Sequence, residues 1–257
     1  MSTNVTQPTG PPELSVMVLA YNHPELLPDC VASIDAQDIP VPHEKVLVDN
    51  GSMPRLPVPP GWRGVYLTPN VGNVGGQNAC FQEALGAYVL FVSNDVRFTW
   101  NTEAIAEMWA HRGDWQTMPE ILWPNLEIQS LGGQLLWPGY GVNRRTEGPL
   151  DYVPSIAYLM PKALWQSIGG FDEHYHGAYE DVDLGHRLGR SRLRRGCCES
   201  QVVHVGNATL CYTTNRPFHR GRQLFIRKHY RGWDRATRLA AEWVLYQATR
   251  LKKALTY

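Results

Sequence analysis

The stretch HGAYEDVDLGHRL, residues 176–188, places three carboxylates within four positions, Glu180, Asp181 and Asp183. Acids favour the first turn of a helix, where they meet unpaired N–H groups and the positive end of the dipole, so a helix start explains them structurally. A carboxylate fixed at such an end can also take a proton from a reacting hydroxyl. Other candidates for chemistry stand at the ends of apolar runs. VLVDN (46–50) ends in Asp49 and Asn50, YVLFVSND (88–95) ends in Asn94 and Asp95, and QVVHVGN (201–207) carries His204.

Such residues need a frame to hold them. LSVMVLAYN (Leu14–Asn22) reads as a buried strand, followed by helical spacing of Leu26, Leu27, Cys30, Val31 and Ile34. KVLVDNGS and GVYLTPN add strands, NVGGQNACFQEALGA a helix with a glycine-rich entry, and YVLFVSND a further strand. This order predicts an α/β layer fold with a mostly parallel sheet, whose ligands bind beyond the carboxyl ends of the strands. Residues Asp114–Pro149 read as irregular loops with one hairpin near SLGGQLLWPGYG. A strand, a short helix from Lys162, the acidic helix and a last strand with His204 follow, and from Arg216 the pattern is helical with a break near YRGWD.

The chain has 257 residues and no net charge, but the charge is unevenly placed. Residues 1–186 hold 8 Lys and Arg against 21 Asp and Glu; residues 187–257 hold 16 against 3. The basic part suits an anionic partner or its own acidic body. Its helix from Asp234 would place Ala236, Leu239, Ala240, Trp243, Val244, Leu251 and Ala254 on one face, with Arg235, Arg238, Lys252 and Lys253 to the sides. That pattern suits an anionic membrane surface. No recognised nucleic-acid module is present, so nucleic acid is not an expected partner. The first residues, 1–12, read as a flexible leader rather than a signal peptide. Five cysteines, Cys30, Cys80, Cys197, Cys198 and Cys211, lack CxxC spacing and fit a reducing cytoplasm.

Five ordered pieces resemble the family 2 glycosyltransferases with the GT-A fold, nearest in flavour to bacterial rhamnosyltransferase-like members. They are VMVLAYNHPELLPDCVASIDAQ, VLVDNGS, NVGNVGGQNACFQEALGAYVLFVSND, GGFDEHYHGAYEDVDLGHRL and HVG. The resemblance implies a GT-A catalytic domain over 13–215, a mostly parallel sheet flanked by helices, and a basic helical extension over 216–257. It implies inverting transfer of a hexose or deoxyhexose from a nucleotide-diphosphate sugar to a hydroxyl of a glycan or lipid-linked acceptor. Surface polysaccharide or glycolipid synthesis is the expected setting, in the cytoplasm or at the inner face of the plasma membrane.

On the same resemblance Asp49 meets the nucleobase, beside Ala20, Tyr21 and Asn22, while Asn70, Gly72, Gly75, Gly76 and Asn78 form the loop around the nucleotide. The usual Asp-x-Asp metal motif reads Ser93-Asn94-Asp95 here, which leaves Asp95, with His204, for a divalent cation (Mn or Mg), and Asn94 near the donor. Asp181 is implied as general base, with Glu180 supporting it or touching the acceptor. Asp183 is expected to pair with Arg187 at i, i+4. The altered metal motif also allows a non-catalytic nucleotide-sugar or glycan-binding relative. A sugar-phosphate nucleotidyltransferase is a weaker alternative, because no N-terminal triphosphate loop is present.

Overall fold

A computed structural model describes residues 10–195, 200–206 and 216–255, with the side chains of 195 and 251–255 excepted. Most of the leader, Cys197, Cys198, Cys211 and the side chains of Leu251, Lys252, Lys253 and Ala254 therefore lie outside the described residues. Cys30 and Cys80 are free and buried.

The first half alternates strands and helices: β1 (Leu14–Ala20), α1 (Leu27–Asp35), β2 (His43–Asp49), β3 (Arg63–Tyr66), α2 (Gly72–Glu83) and β4 (Tyr88–Ser93). Every residue of β1 is buried, as in a strand covered by helices on both faces. β4, β1, β2 and β3 lie side by side and parallel, with Ala20 opposite Asp49 and Leu19 opposite Ser93. Three carboxyl ends thus come level at one edge, where the polar strand ends expected from the sequence are gathered.

The second half departs from the expected loops. β5 (Val96–Phe98), α3 (Ala104–Ala110), β6 (Gln116–Met118), β7 (Glu120–Leu122), β8 (Ile128–Ser130), β9 (Gly133–Leu136) and β10 (Tyr140–Asn143) run through it, then β11 (Ala157–Pro161) and α4 (Lys162–Ser167). The irregular reading of 114–149 is corrected: it holds five short strands, of which β9 and β10 are the expected hairpin. Strands of three residues are too short to show a period of two, so β6, β7 and β8 carry no periodic signal. α5 (Glu180–Leu188), β12 (Leu193–Arg195), β13 (Gln201–His204), α6 (Arg216–His229) and α7 (Gly232–Leu255) complete the order.

The main sheet runs β12-β6-β11-β4-β1-β2-β3, with β11 antiparallel to both neighbours. A second sheet, β5-β13-β7-β8, sets His204 opposite Val96, next to Asp95. One core fills the main sheet and its helices. A smaller one joins Tyr152, Tyr175, Tyr179 and Val182 to Phe225 of α6, so α6 and the acidic helix α5 share buried surface.

Candidate active site

A cleft of about 700 Å³ opens beyond the strand ends. One wall carries Ala20, Tyr21, Asn50, Asn70, Gly72 and Asn73, and the floor Asn94 and Asp95. His204, Ser155, Tyr179, Glu180, Asp181 and Phe218 line it as well. The size and the convergent polar groups are those of a small-molecule site.

The loop between β3 and α2 is tied by amides. Asn50 accepts from the Val71 N–H at 3.0 Å and donates to the Gly72 carbonyl at 2.9 Å; Asn70 accepts from the Gly72 N–H at 2.7 Å. Gly51 sits at φ +80°, and a Cβ there would come within 2.8 Å of the Asn70 nitrogen, so the turn after β2 needs glycine. Asp49 is buried, and its two oxygens accept the N–H groups of Ser52 (2.9 Å) and Leu56 (3.0 Å). Asn22 lies beside it, its N–H donating to Ser52 Oγ at 2.7 Å.

Three expected loop residues are placed differently. Gly75 and Gly76 lie inside α2 and do not line the cleft. A Cβ on Gly76 would meet the Leu19 side chain at 2.8 Å, so this residue lets α2 pack on β1. Asn78 faces away from the cleft, donating to the Phe171 carbonyl at 3.0 Å and accepting its N–H at 2.9 Å. The sequence around them is polar and glycine-rich, but helical rotation carries alternate positions to the back of α2.

On the floor, Asp95 is buried beside Asn94. Asp95 Oδ1 and Asn94 Nδ2 are enclosed with no hydrogen-bond partner. His204 Nε2 is 3.2 Å from Asp95 Oδ2, and its Nδ1 meets Gln129 Oε1 at 3.1 Å. Burial opposes charge on Asp95, but the hydrogen bond and charge of His204 outweigh it and hold the carboxyl below its usual value. The orphaned oxygen and the imidazole fit a divalent cation. No group of three or more His, Cys, Asp or Glu that could hold a metal is present among the described residues. An ion here would therefore take its remaining oxygens from ligand and water.

α5 presents the acids. Its cap, Tyr179, has φ +79°, a costly conformation for an aromatic residue. Its hydroxyl holds it there, donating to the Gly139 carbonyl at 3.1 Å and accepting the Gly141 N–H at 3.0 Å. Gly185, one turn into α5, faces Tyr152 so closely that a Cβ would lie 2.5 Å from the Asp151 carbonyl. Glu180 is buried and accepts from Asn73 Nδ2 at 3.2 Å and, more loosely, from Gln77 Nε2 at 3.5 Å. Tyr158 donates to Gln77 Oε1 at 3.1 Å and so aims that amide. Asp181 is partly exposed to the cleft, its Oδ1 accepting the Val182 N–H at 2.8 Å.

Burial raises both carboxyls above their usual range. The neighbouring charge of Asp181 raises Glu180 further, although Gln77 and Asn73 pull it back. For Asp181, burial outweighs the N–H groups of Val182 and Ser155. Two adjacent acids in one site separate into a neutral and a charged member, and Asp181 ionises first. Asp183 points the other way and bonds Arg187 at 2.7 Å, as expected from its spacing, and also His229 at 2.7 Å and Lys228.

Asn73, Gln77, Ser155, Tyr179, Gln129 and Phe218 were not singled out in the sequence. Asn73 and Gln77, four apart on one helix face, carried a readable signal; the others are brought in by tertiary contacts alone.

Residues 15–111 match the family described as Glycosyl transferase family 2. Over 234 residues the chain is 26% identical to the O-antigen biosynthesis protein RfbC of Myxococcus xanthus, covering 78% of this chain and 18% of that protein. It is 29% identical over 99 residues to an N-acetylglucosaminyl-diphospho-decaprenol L-rhamnosyltransferase of Mycobacterium tuberculosis, covering 35% of this chain and 31% of that relative. The chain thus spans less than a third of the length of these curated relatives. Among solved structures, the mannosyltransferase PcManGT of Pyrobaculum calidifontis, in complex with GDP-Man and Mn2+, superposes with a TM-score of 0.59 at 14% identity, over 91% of this chain and 69% of that one. The fold is GT-A, as the resemblance implied.

Proposed function

We propose that the protein is an inverting glycosyltransferase using a nucleotide-diphosphate sugar, a reading supported by the match of residues 15–111 to Glycosyl transferase family 2. The carrying observation is a single cleft with Asn94, Asp95 and His204 on its floor and the paired acids Glu180 and Asp181 on its wall. The acceptor hydroxyl oxygen attacks the anomeric carbon as the bond to the diphosphate oxygen breaks. Asp181 takes the hydroxyl proton, and the nucleoside diphosphate leaves. Glu180, held between Asn73 and Gln77, stays protonated beside it and faces the same reaction as a neutral donor. Asn50, Asn70 and Gly72 hold the nucleotide side, with Ala20 and Tyr21 at the adjoining strand end, while Asp49 and Asn22, which do not line the cleft, brace the turn behind them.

A divalent ion held by Asp95 and His204 would neutralise charge on the departing diphosphate. The names of the relatives support a hexose or deoxyhexose donor and a glycan or lipid-linked acceptor, in surface polysaccharide or glycolipid synthesis. On this reading the reaction is expected in the cytoplasm or at the inner face of the plasma membrane. No helix among the described residues is long and apolar enough to cross a membrane.

The decisive experiment incubates the protein with UDP-, GDP- and dTDP-sugars and manganese, with and without acceptor. Release of nucleoside diphosphate is expected; a non-catalytic binding relative would release none from any donor. Asp95→Ala is expected to weaken nucleoside-diphosphate binding by at least about tenfold with manganese and much less without it, because the ion loses a carboxylate. His204→Ala should show the same pattern more weakly in titration calorimetry. Glu180→Gln is expected to retain activity within about tenfold near neutral pH, since the amide copies the neutral acid and only its proton is lost.

A further inference from the structure

We propose that the outward face of α7, together with the tip of the β9–β10 hairpin, is a docking surface for an anionic lipid bilayer. α7 meets the body through Glu242 and Arg238. Glu242 is fully buried and paired with Arg222 at 2.9 Å, and Arg238 donates to the Pro138 carbonyl at 3.1 Å. The opposite face, at Trp233, Ala236, Ala240, Trp243, Val244 and Gln247, carries no charge. Trp233 is 88% exposed, Trp243 56% and Val244 58%. A soluble helix packed on its body would show the reverse arrangement.

The hairpin adds a second element. Through the Arg238–Pro138 bond its tip is fastened to α7, and Trp137 there is 62% exposed. Tryptophans on two joined elements are the side chains that settle at the headgroup level. Exposed apolar surface alone does not choose its partner, but the net charge of the two helices does. Arg216, Arg220, Arg227, Arg231 and Arg235 are exposed and have no carboxylate partner among the described residues. A second copy of this chain meeting the same face would bring like charges together, whereas an anionic bilayer would neutralise them. Phe218, at the start of α6, lines the cleft, so the basic helices reach from this surface to the site. The inference rests on the proposed function for the nature of the acceptor; docking itself does not require it.

The test is flotation of the full chain with phosphatidylcholine vesicles, with and without phosphatidylglycerol, at about 0.05 M and about 0.5 M salt. Binding to the anionic vesicles at low salt is expected to exceed that to neutral ones by at least about tenfold and to collapse at high salt. The double variant Trp233→Ser/Trp243→Ser should lose at least about tenfold in vesicle binding, because two large apolar groups no longer leave water. Its melting temperature and nucleoside-diphosphate binding should be unchanged. Full-length protein that stays off anionic vesicles at low salt would overturn the proposal, as would a folded double variant that binds like the parent. So would a dimer, seen by light scattering, that the double variant dissolves, since the face would then be a self-interface. Vesicle binding without any nucleoside-diphosphate binding would leave the docking surface standing and remove the glycosyltransferase reading instead.

Discussion

Asp181→Asn is expected to lower sugar transfer by about 10²–10⁴-fold, the range for loss of a positioned general base. The amide keeps the shape and the acceptor oxygen that receives the Val182 N–H, so donor binding should persist. The same substitution should leave the protein at least as stable at neutral pH. An acid whose folded-state pKa is raised destabilises the fold once pH passes the unfolded value, and the penalty is complete above the folded one. Removing the charge removes that penalty. In the parent, kcat/KM should fall on acidification through a group titrating above the ordinary aspartate range, because burial favours the protonated form of Asp181. Transfer kinetics over pH, with melting temperatures of both proteins, check all three outcomes. Parent-like turnover by a folded Asp181→Asn protein would remove Asp181 from the mechanism.

Asp183→Asn should act on stability instead, by about 3–5 kcal/mol, the effect of removing one member of a buried ionic group. The Asp183 carboxylate is wholly enclosed and meets Arg187, Lys228 and His229, with the Tyr175 hydroxyl donating at 3.1 Å. An amide leaves Arg187 and Lys228 facing one another without a counter-charge. Burial alone would raise this carboxyl, but hydrogen bonds from His229 and Lys228 and the charge of Arg187 hold it well below its usual value. Its stabilisation is therefore present above the unfolded aspartate value, about 3.9, and is lost as pH falls below it. Urea unfolding at neutral pH and at pH values below about 4 should show the difference between the two proteins shrinking on acidification. An equal difference at both would contradict this account of the cluster.

The contrast between these neighbours shows what the sequence could carry. Strand ends were legible because β1, β2 and β4 are long apolar runs that stop at polar residues, and parallel pairing then brings the stops level. The acidic helix was legible for the same local reason, and the i, i+4 pairing of Asp183 with Arg187 followed from helix geometry. What lay hidden depends on contacts between distant parts of the chain. Nothing near Asp181 announces that Asn73 and Gln77 will grip its neighbour from another helix. Asn78 belongs to the same polar run yet turns to the Phe171 backbone, and one residue of helical rotation decides the matter. The short strands of 114–149 are held by sheet partners rather than by their own pattern. The outward face of α7 was visible as a stripe, but which side would meet the body could be settled only by the buried Glu242.

The small core shared by α5 and α6 also bears on how the enzyme comes into being at the ribosome. Chains emerge from the N-terminus at about 5–20 residues per second, and units form as they appear. The strands that bring Asn50, Asn94 and Asp95 together are finished well before Phe225, which fills the space under Tyr179 and Val182. The strand-end wall of the cleft is thus synthesised first, and the seat of Asp181 beside Tyr179 and Val182 is completed only when α6 arrives. A chain halted before α6 would hold the polar strand ends without the packing that fixes the paired acids.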